Sequence, residues 1–290
     1  MIFKRQKIFL SLLFHAQRQL SRTEIMKWLF LLRQETELES DPSFYNFVPY
    51  KYGPFSFLAY RDMTELEREG YLTPQKTSIT PSSRKEVELM VSEVSLPIHS
   101  HINELIEKYM NLSQQELINL VYDKYPWFAS RSEIHEKKDM NQQLRAKPAV
   151  YTSGYEGKSI DSFIQQLLKK GINTLIDVRN NPLSRKYGFS KSALNKICND
   201  VQIEYTHYPE LGIPSSYRTQ LNSVEDYDRL FQLYVSNILC DTLGSQDKVV
   251  KTIKENPSAL LCFEEDPRFC HRSHLANALS TASQLDVIHL

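Results

Sequence analysis

Short apolar runs in the second half of the chain alternate with stretches of helical periodicity. The runs begin at Ala149, Ile172, Ile203 and Ala259, and each has the length of a buried strand. In the intervening segments, apolar residues recur every three or four positions, as on one face of a helix. Strands separated by helices usually pair in parallel. The pattern predicts an α/β domain over residues 148–290, a Rossmann-like parallel-sheet sandwich.

The first half, residues 1–147, has helical periodicity and predicts a mostly helical domain. Ser21-Arg22-Thr23-Glu24 has the form of a capping box. Two short strands, Tyr71–Thr73 and Ser78–Thr80, follow three predicted helices. This order is that of a winged helix-turn-helix, so residues 1–82 are interpreted as a winged-helix-like start. Residues 83–147 form a helical extension, whose polar end from 130 to 147 is interpreted as a linker.

Charge and composition exclude several classes of protein. The 35 basic and 35 acidic residues cancel, and neither half has the basic excess of a strong phosphate-backbone binder. No stretch reaches the roughly 18 uncharged apolar residues of a membrane span. The four cysteines form no C-x-x-C pair, and no secretory cleavage site is evident. We therefore expect a cytoplasmic protein without membrane contact.

Polar residues follow each predicted strand of the α/β half. In open parallel sheets, ligands bind beyond the carboxyl ends of the strands. Four loops of polar and reactive residues are therefore expected at one rim of the sheet, which predicts a ligand site there. The candidate ligand-binding residues of these loops are Tyr155, Glu156, Asp177, Arg179, Pro182, Ser184, Arg185, Glu210 and Arg272.

The loop after the last of these strands has the strongest catalytic candidates. Cys270 and His271 stand at a predicted helix start, where unpaired N–H groups favour a thiolate. Cys270 is the best nucleophile candidate, with His271 as its neighbour. Because adjacent residues need not point together, a base from another loop is also possible. Glu264 is a candidate general acid or base.

Three arginines, Arg179, Arg185 and Arg272, form a plausible anion cradle. Guanidinium groups match phosphate oxygens in bidentate geometry, and a helix N-terminus adds donors. The alternative is that Arg179 or Arg185 pairs with Asp177 or Glu210 as part of the scaffold. The site is therefore expected to take a phosphorylated small molecule or a nucleotide.

Several sequence blocks resemble the DUF488 family. SGYEG, DVRNNPLSRKYGFS, YPELG and CFEEDPRFCHRSHLA occur in order between about Val150 and Leu279. The resemblance implies the α/β frame but no settled activity. This chain carries the family's characteristic residues at Tyr155, Asp177, Arg179, Pro182, Ser184, Arg185, Glu210, Cys270, His271 and Arg272.

The tract from Phe47 to Leu72 resembles the SocA/Panacea-like family (DUF4065), which has a similar Tyr-Gly-Pro segment before a helix. In that family such domains serve in toxin–antitoxin systems and in protein–protein contacts. The resemblance therefore implies that residues 1–82 bind a protein partner as readily as nucleic acid.

Neither a metal nor a cofactor is predicted. Cys270, His271, His274, His207 and Glu264 supply ligand types, but no pair has a recognised ligand spacing. The phosphate loop and the dinucleotide fingerprint are both missing from the sequence. The leading hypothesis is an enzyme of the DUF488 type that performs hydrolysis or group transfer on a phosphorylated or nucleotide-containing ligand. The alternative is a non-catalytic regulator or antitoxin-like binding protein.

Overall fold

The protein is described by a computed structural model over residues 2–74, 77–134, 145–218, 221 and 223–290. The chain divides into two compact units, Met1–Met140 and Asn141–Leu290. The division falls within the polar segment 130–147. Residues 135–144 of that segment lie outside the described residues.

The first unit is mostly helical, as predicted. It also has one two-stranded antiparallel hairpin, β1 and β2. Its elements are α1 (Lys4–Ala16), α2 (Arg22–Glu35), β1 (Val48–Tyr50), β2 (Gly53–Phe55), α3 (Phe57–Arg68), α4 (Arg84–Ser92), α5 (Leu96–Tyr109), α6 (Gln114–Lys124) and α7 (Pro126–Ala129).

The α2 helix lies at the centre of this unit. The predicted capping box is confirmed, because the Ser21 hydroxyl accepts from the Glu24 backbone and the Glu24 carboxylate accepts from Ser21 N–H at 2.8 Å. The central nine residues of α2, from Glu24 to Leu32, are all buried, including Trp28 and Phe30. A helix that is apolar on all sides must be enclosed by other elements. Helices α5 and α6 and the hairpin supply that cover.

The strands of the first unit differ from the prediction. Between the segments expected to be strands, only one bridge forms, Leu72 to Ile79, with residues 75–76 outside the described part of the chain. The hairpin instead lies at residues 48–55, where the sequence had predicted no strand. Its turn requires a positive φ of 84° at Gly53, a conformation that glycine adopts without strain.

Lys27 joins α2 to this hairpin from a buried position. Its ammonium group donates to the carbonyl oxygens of Tyr52 and, at 3.5 Å, of Pro54. The amine also lies 6.0 Å from the centre of the Tyr122 ring. Burial disfavours the charged form and lowers the Lys27 pKa to about 7.

The second unit is built on a five-stranded sheet in which every pairing is parallel, as predicted. The strands are β3 (Val150–Gly154), β4 (Thr174–Asp177), β5 (Glu204–His207), β6 (Ser258–Cys262) and β7 (Val287–His289). Their order across the sheet is β5-β4-β6-β3-β7. The central strand β6 is buried along its whole length, so its carboxyl end lies between those of β4 and β3.

Helices connect these strands. They are α8 (Ile160–Lys170), α9 (Lys191–Asp200), α10 (Val224–Leu233), α11 (Leu243–Glu255) and α12 (His271–Ser283), with a π-helix at Tyr234–Leu239. Leu230, Val249 and Leu275 of the last three helices share a core with Ile176 and Leu260 of the sheet. None of the helices in the described residues of either unit is both long and apolar enough to cross a membrane.

The buried amine predicts a pH dependence for the stability of the first unit. Lys27 loses its proton near pH 7 in the folded unit but only near about 10.4 when unfolded. The unfolded state therefore binds more protons between these values, so the unfolding free energy should rise with pH, by up to about 5 kcal/mol. We expect Lys27→Met to remove that rise and to stabilise the unit at pH 7.

Tryptophan fluorescence during urea unfolding at several pH values measures this effect. The chain's two tryptophans, Trp28 and Trp127, both lie in the first unit, so the signal reports on that unit alone. Lys51→Met is the control, since Lys51 is exposed. The control should keep the wild-type slope. Equal slopes for Lys27→Met and the wild type would contradict the assignment.

Candidate functional site

The carboxyl ends of the parallel strands bring the predicted loops to one rim of the second unit. The strands β3, β4 and β6 end at Gly154, Asp177 and Cys262. The end of β3 and the loop after β6 approach so closely that a Cβ on Gly154 would lie 1.8 Å from the carbonyl oxygen of Glu264. Only glycine permits this contact, which fixes the two loops against each other.

Arg179 is held by protein groups on all sides. Its Nε donates to Asp177 Oδ1 at 2.8 Å and its Nη2 to Oδ2 at 2.5 Å. Its Nη1 donates to the Tyr155 hydroxyl at 3.1 Å and to the Phe189 carbonyl at 2.9 Å. The Tyr155 ring stacks on Phe189 with centroids 4.2 Å apart. Burial opposes the charge of Arg179, but the bonds to Asp177 raise its pKa. The geometry therefore matches the scaffold alternative rather than a phosphate cradle.

Arg272 is also buried and occupied. Its guanidinium group donates to the carbonyl oxygens of Glu264 and, at 2.8 Å, of Glu265, and its Nε lies 3.4 Å from the Thr152 hydroxyl. It therefore ties the loop after β6 to β3 and to the start of α12. Arg185, by contrast, is exposed. The expected three-arginine cradle is not assembled, because two of its members bind the protein itself.

The remaining predicted ligand-binding residues also have local partners. Glu156 accepts from the Glu265 backbone at 3.1 Å, and Glu210 accepts from the Ser245 hydroxyl at 2.5 Å. Ser184 accepts from Lys186 N–H at 3.2 Å, and the carbonyl of the buried Pro182 accepts from Lys191 N–H at 3.1 Å. These contacts order the loops of the rim.

Three ligand-type side chains converge at the carboxyl end of β6. The Sγ atoms of Cys262 and Cys270 and a ring nitrogen of His271 all lie within 4.8 Å of one another, and all three residues are buried. Cys262 ends β6, whereas Cys270 is the residue before α12 and His271 its first residue. Cys262 Sγ is 3.7 Å from His271 Nδ1. His271 Nε2 is 3.1 Å from the Val178 carbonyl oxygen, just beyond β4.

Glu264 lies between this cluster and solvent. Its Oε2 is 3.2 Å from Cys262 Sγ, and its Oε1 accepts from Arg218 at 3.3 Å. The Glu264 side chain is 20% exposed and that of Arg218 is 36% exposed. A carboxyl group in this position can exchange protons between the buried thiols and a molecule at the rim.

The surroundings of the two thiols shift their pKa values in opposite directions. Burial opposes ionisation of Cys262, but hydrogen bonds with Cys270 and His271 and the charge of the imidazole lower its pKa well below the ordinary value. Burial and the neighbouring Cys262 raise the pKa of Cys270 well above it. Burial opposes the charge of His271, yet Cys262 raises its pKa. Burial and Cys262 also raise the Glu264 pKa.

These pKa directions favour ionisation of Cys262 over that of Cys270. The assignment of Cys270 as the nucleophile, made from the sequence, stays a prediction. Cys262 was interpreted only as an apolar residue of a strand. Arg218 was not predicted at all. Tyr234, whose ring lies 5.3 Å from that of His271, was also missed. The available signal was a second cysteine at the carboxyl end of the last buried strand, eight residues before Cys270.

The Asp177–Arg179 pair predicts a large stability effect, and the same unit offers a matched control. Asp177→Asn leaves the buried Arg179 charge without its carboxylate, which typically costs about 3–5 kcal/mol. Asp266 and Arg268 make the same contacts at the same spacing, but in an exposed position. Asp266→Asn should therefore change stability little.

Calorimetry of the full chain measures both variants. Tryptophan fluorescence identifies the transition of the first unit, so the other transition belongs to the second. If the two substitutions lower the stability of the second unit equally, the buried pair contributes no more to stability than the exposed pair.

Comparison with known proteins concerns the second unit. No curated protein and no solved structure matches the chain. The resemblance of residues 1–82 to SocA/Panacea-like domains stays a prediction. Residues 159–279 match the family model described as "Domain of unknown function DUF488", and this stretch includes β4, β5, β6, Glu264 and the cysteine–histidine cluster. This stretch of the second unit is therefore similar to the DUF488 family.

Proposed function

We propose that the DUF488-like domain is an enzyme that performs hydrolysis or group transfer. The observation that carries this proposal is the convergence of Cys262, Cys270, His271 and Glu264 at the carboxyl end of β6. A thiolate, an imidazole and a carboxyl group within contact distance form a set suited to nucleophilic and acid–base chemistry. Parallel sheets bind their ligands at this edge.

Within this centre, Glu264 is the general acid or base. Its pKa is raised by burial and by Cys262, which brings a carboxyl group closer to the pH at which it can both give and take a proton. Its partial exposure gives it access to a bound ligand. The buried thiols and His271 lie next to it at the carboxyl end of β6.

The charge of the rim supports an anionic ligand. Arg179 and Arg272 are buried, whereas Arg185 is exposed and Arg218 is partly exposed in addition to its contact with Glu264. Arg218 contacts Glu264, so an anion paired with Arg218 would place its reacting atoms next to the acid–base group. A phosphorylated small molecule or a nucleotide therefore remains the proposed ligand class.

Removal of the Glu264 carboxyl group tests the proposal. The wild-type chain is incubated with a panel of nucleoside mono-, di- and triphosphates, sugar phosphates and short oligonucleotides, and products are identified by mass spectrometry. Glu264→Gln should reduce turnover by about 10²–10⁴-fold, the usual contribution of a general acid or base. Glu265→Gln, one position along and exposed, should keep wild-type turnover.

Turnover that survives in Glu264→Gln would remove Glu264 from the mechanism. If the wild type binds a panel member without converting it, and Glu264→Gln binds it equally well, the non-catalytic regulator is the better description of this domain.

For the first unit we propose recognition of a protein partner. Four of the six arginines in residues 1–82 are paired with carboxylates, namely Arg5 with Asp62, Arg18 with Glu24, Arg22 with Glu67 and Arg61 with Glu65. Paired cations contribute less to phosphate contacts. Tyr52 at the tip of the hairpin is 53% exposed, and aromatic side chains of this kind are enriched in protein interfaces.

Nucleic acid is the other proposed partner of residues 1–82, and its binding is directly measurable. We expect the full chain to bind a fluorescently labelled DNA duplex no tighter than the non-specific range of about 10⁻⁴–10⁻⁶ M. Fluorescence anisotropy at increasing salt concentration gives the affinity and its salt slope. Tighter binding that weakens steeply with salt would favour nucleic acid as the partner.

A further inference from the structure

The cysteine–histidine cluster has the geometry of a metal site. We propose that Cys262, Cys270 and His271 bind a zinc ion through their two Sγ atoms and Nδ1, with Glu264 next to the fourth position. The three ligand atoms lie within 4.8 Å of one another, and the three residues are buried. The sequence did not reveal these three residues as a ligand set, because the two cysteines are eight positions apart and meet only after β6 and α12 have formed.

The measured spacing fits tetrahedral zinc. Bonds of about 2.3 Å to sulfur and about 2.0–2.1 Å to nitrogen place a sulfur and a nitrogen ligand about 3.6 Å apart at the tetrahedral angle. Cys262 Sγ and His271 Nδ1 are 3.7 Å apart. The distance between these two atoms is therefore close to that of a zinc-bound sulfur–nitrogen pair.

The orientation of His271 also matches a ligand. A carbonyl oxygen only accepts hydrogen bonds, so the 3.1 Å contact with the Val178 oxygen places a proton on Nε2. In the neutral ring, Nδ1 then carries the lone pair, and this atom is the one directed at Cys262. Zinc-bound histidines are typically held by such a hydrogen bond from the other ring nitrogen, which fixes the tautomer.

The type of ligand selects the metal. Thiolate and imidazole prefer zinc to magnesium or calcium, which take oxygen ligands. Three protein ligands and an open fourth position are characteristic of catalytic zinc sites, whereas structural sites are closed by four. Glu264 stands beside the cluster and toward solvent. Zinc held by Cys262, Cys270 and His271 would supply a Lewis acid, and Glu264 would hold or transfer a proton beside it.

The metal site rests on ligand geometry alone, whereas this catalytic role also rests on the proposed function. The two are therefore tested by different measurements. Metal binding is measured without any substrate, so a protein that binds zinc but turns over no ligand would count against the enzyme and not against the site. Turnover that persists in metal-free protein would count against the zinc mechanism and not against the enzyme.

Cobalt titration of the full chain tests binding. The protein is purified under reducing conditions, freed of metal with a chelator and titrated with Co²⁺, whose bonds to thiolates give a near-ultraviolet charge-transfer band. One equivalent should bind and be displaced by Zn²⁺. Cys262→Ser, Cys270→Ser and His271→Asn should each weaken binding by more than about 100-fold, beyond the usual effect of a residue behind the ligands.

The chain provides its own controls. Cys198→Ser and Cys240→Ser change the two cysteines that lie outside the cluster, and both should keep the cobalt band. Glu264→Gln should also keep it, because Glu264 is assigned beside the ion and not as a ligand. Loss of the band in Cys240→Ser, or its retention in Cys262→Ser and Cys270→Ser, would overturn the assignment.

The melting temperature of the wild type gives a test that does not depend on whether the variants fold. A ligand that binds only the folded state raises its melting temperature. Zinc should raise the calorimetric transition of the second unit, and a chelator should reverse the shift. The transition seen by tryptophan fluorescence, which belongs to the first unit, should not move. A wild-type chain that binds no stoichiometric Co²⁺ or Zn²⁺ and shows no shift would refute the proposal.

Discussion

The geometry of the rim depends on the hydrogen bonds that Arg272 donates to the loop after β6. Arg272 is one of the largest fully buried side chains, and its guanidinium group donates to the Glu264 and Glu265 carbonyl oxygens. A guanidinium group presents several donors in a rigid fork, so one side chain can hold two successive carbonyls that would be costly to bury alone. Cys262 and Cys270 stand at the two ends of the loop held in this way. Their approach therefore depends on a residue that belongs to neither strand nor ligand set.

Arg179, the second buried arginine, orders the loop after the neighbouring strand β4. Arg179 fixes the loop after β4 through Asp177, Tyr155 and the Phe189 carbonyl. That loop supplies the Val178 carbonyl that orients His271. The two arginines thus order the loops that carry the reactive groups, so their guanidinium groups are engaged by the protein itself.

The strands and the rim were predictable because burial on both faces leaves a continuous apolar run, as at Ala259–Phe263. The Ser21 capping box was predictable for a similar local reason. The partners of Arg179 and Arg272 were not predictable from the sequence, because the guanidinium donors that suit phosphate also suit carboxylates and backbone carbonyls. Only the positions of Asp177 and of the Glu264 carbonyl in space decide between these partners.

The cluster itself was hidden by two features of the sequence. Cys262 has the ordinary character of a small buried residue in a strand, and its partner Cys270 follows a turn whose path no spacing rule describes. The hairpin at β1 and β2 was missed for a different reason. Pro49 and Pro54 pair with each other there, so prolines that disfavour a central strand are tolerated in a two-stranded hairpin with free edges.

The charged groups around the cysteine–histidine cluster limit how many of its thiols can ionise. Arg218 pairs with Glu264, whereas Arg272 donates to carbonyl and hydroxyl oxygens. Buried charge is costly unless it is compensated nearby. An anionic sulfur at Cys262 disfavours a second thiolate at Cys270, because the two sulfur atoms lie within 4.8 Å of each other. A divalent cation between them neutralises both thiolates and leaves His271 neutral. The arrangement of two thiols, one oriented imidazole and one outward carboxylate is therefore easier to account for around a metal ion than around a cysteine nucleophile alone.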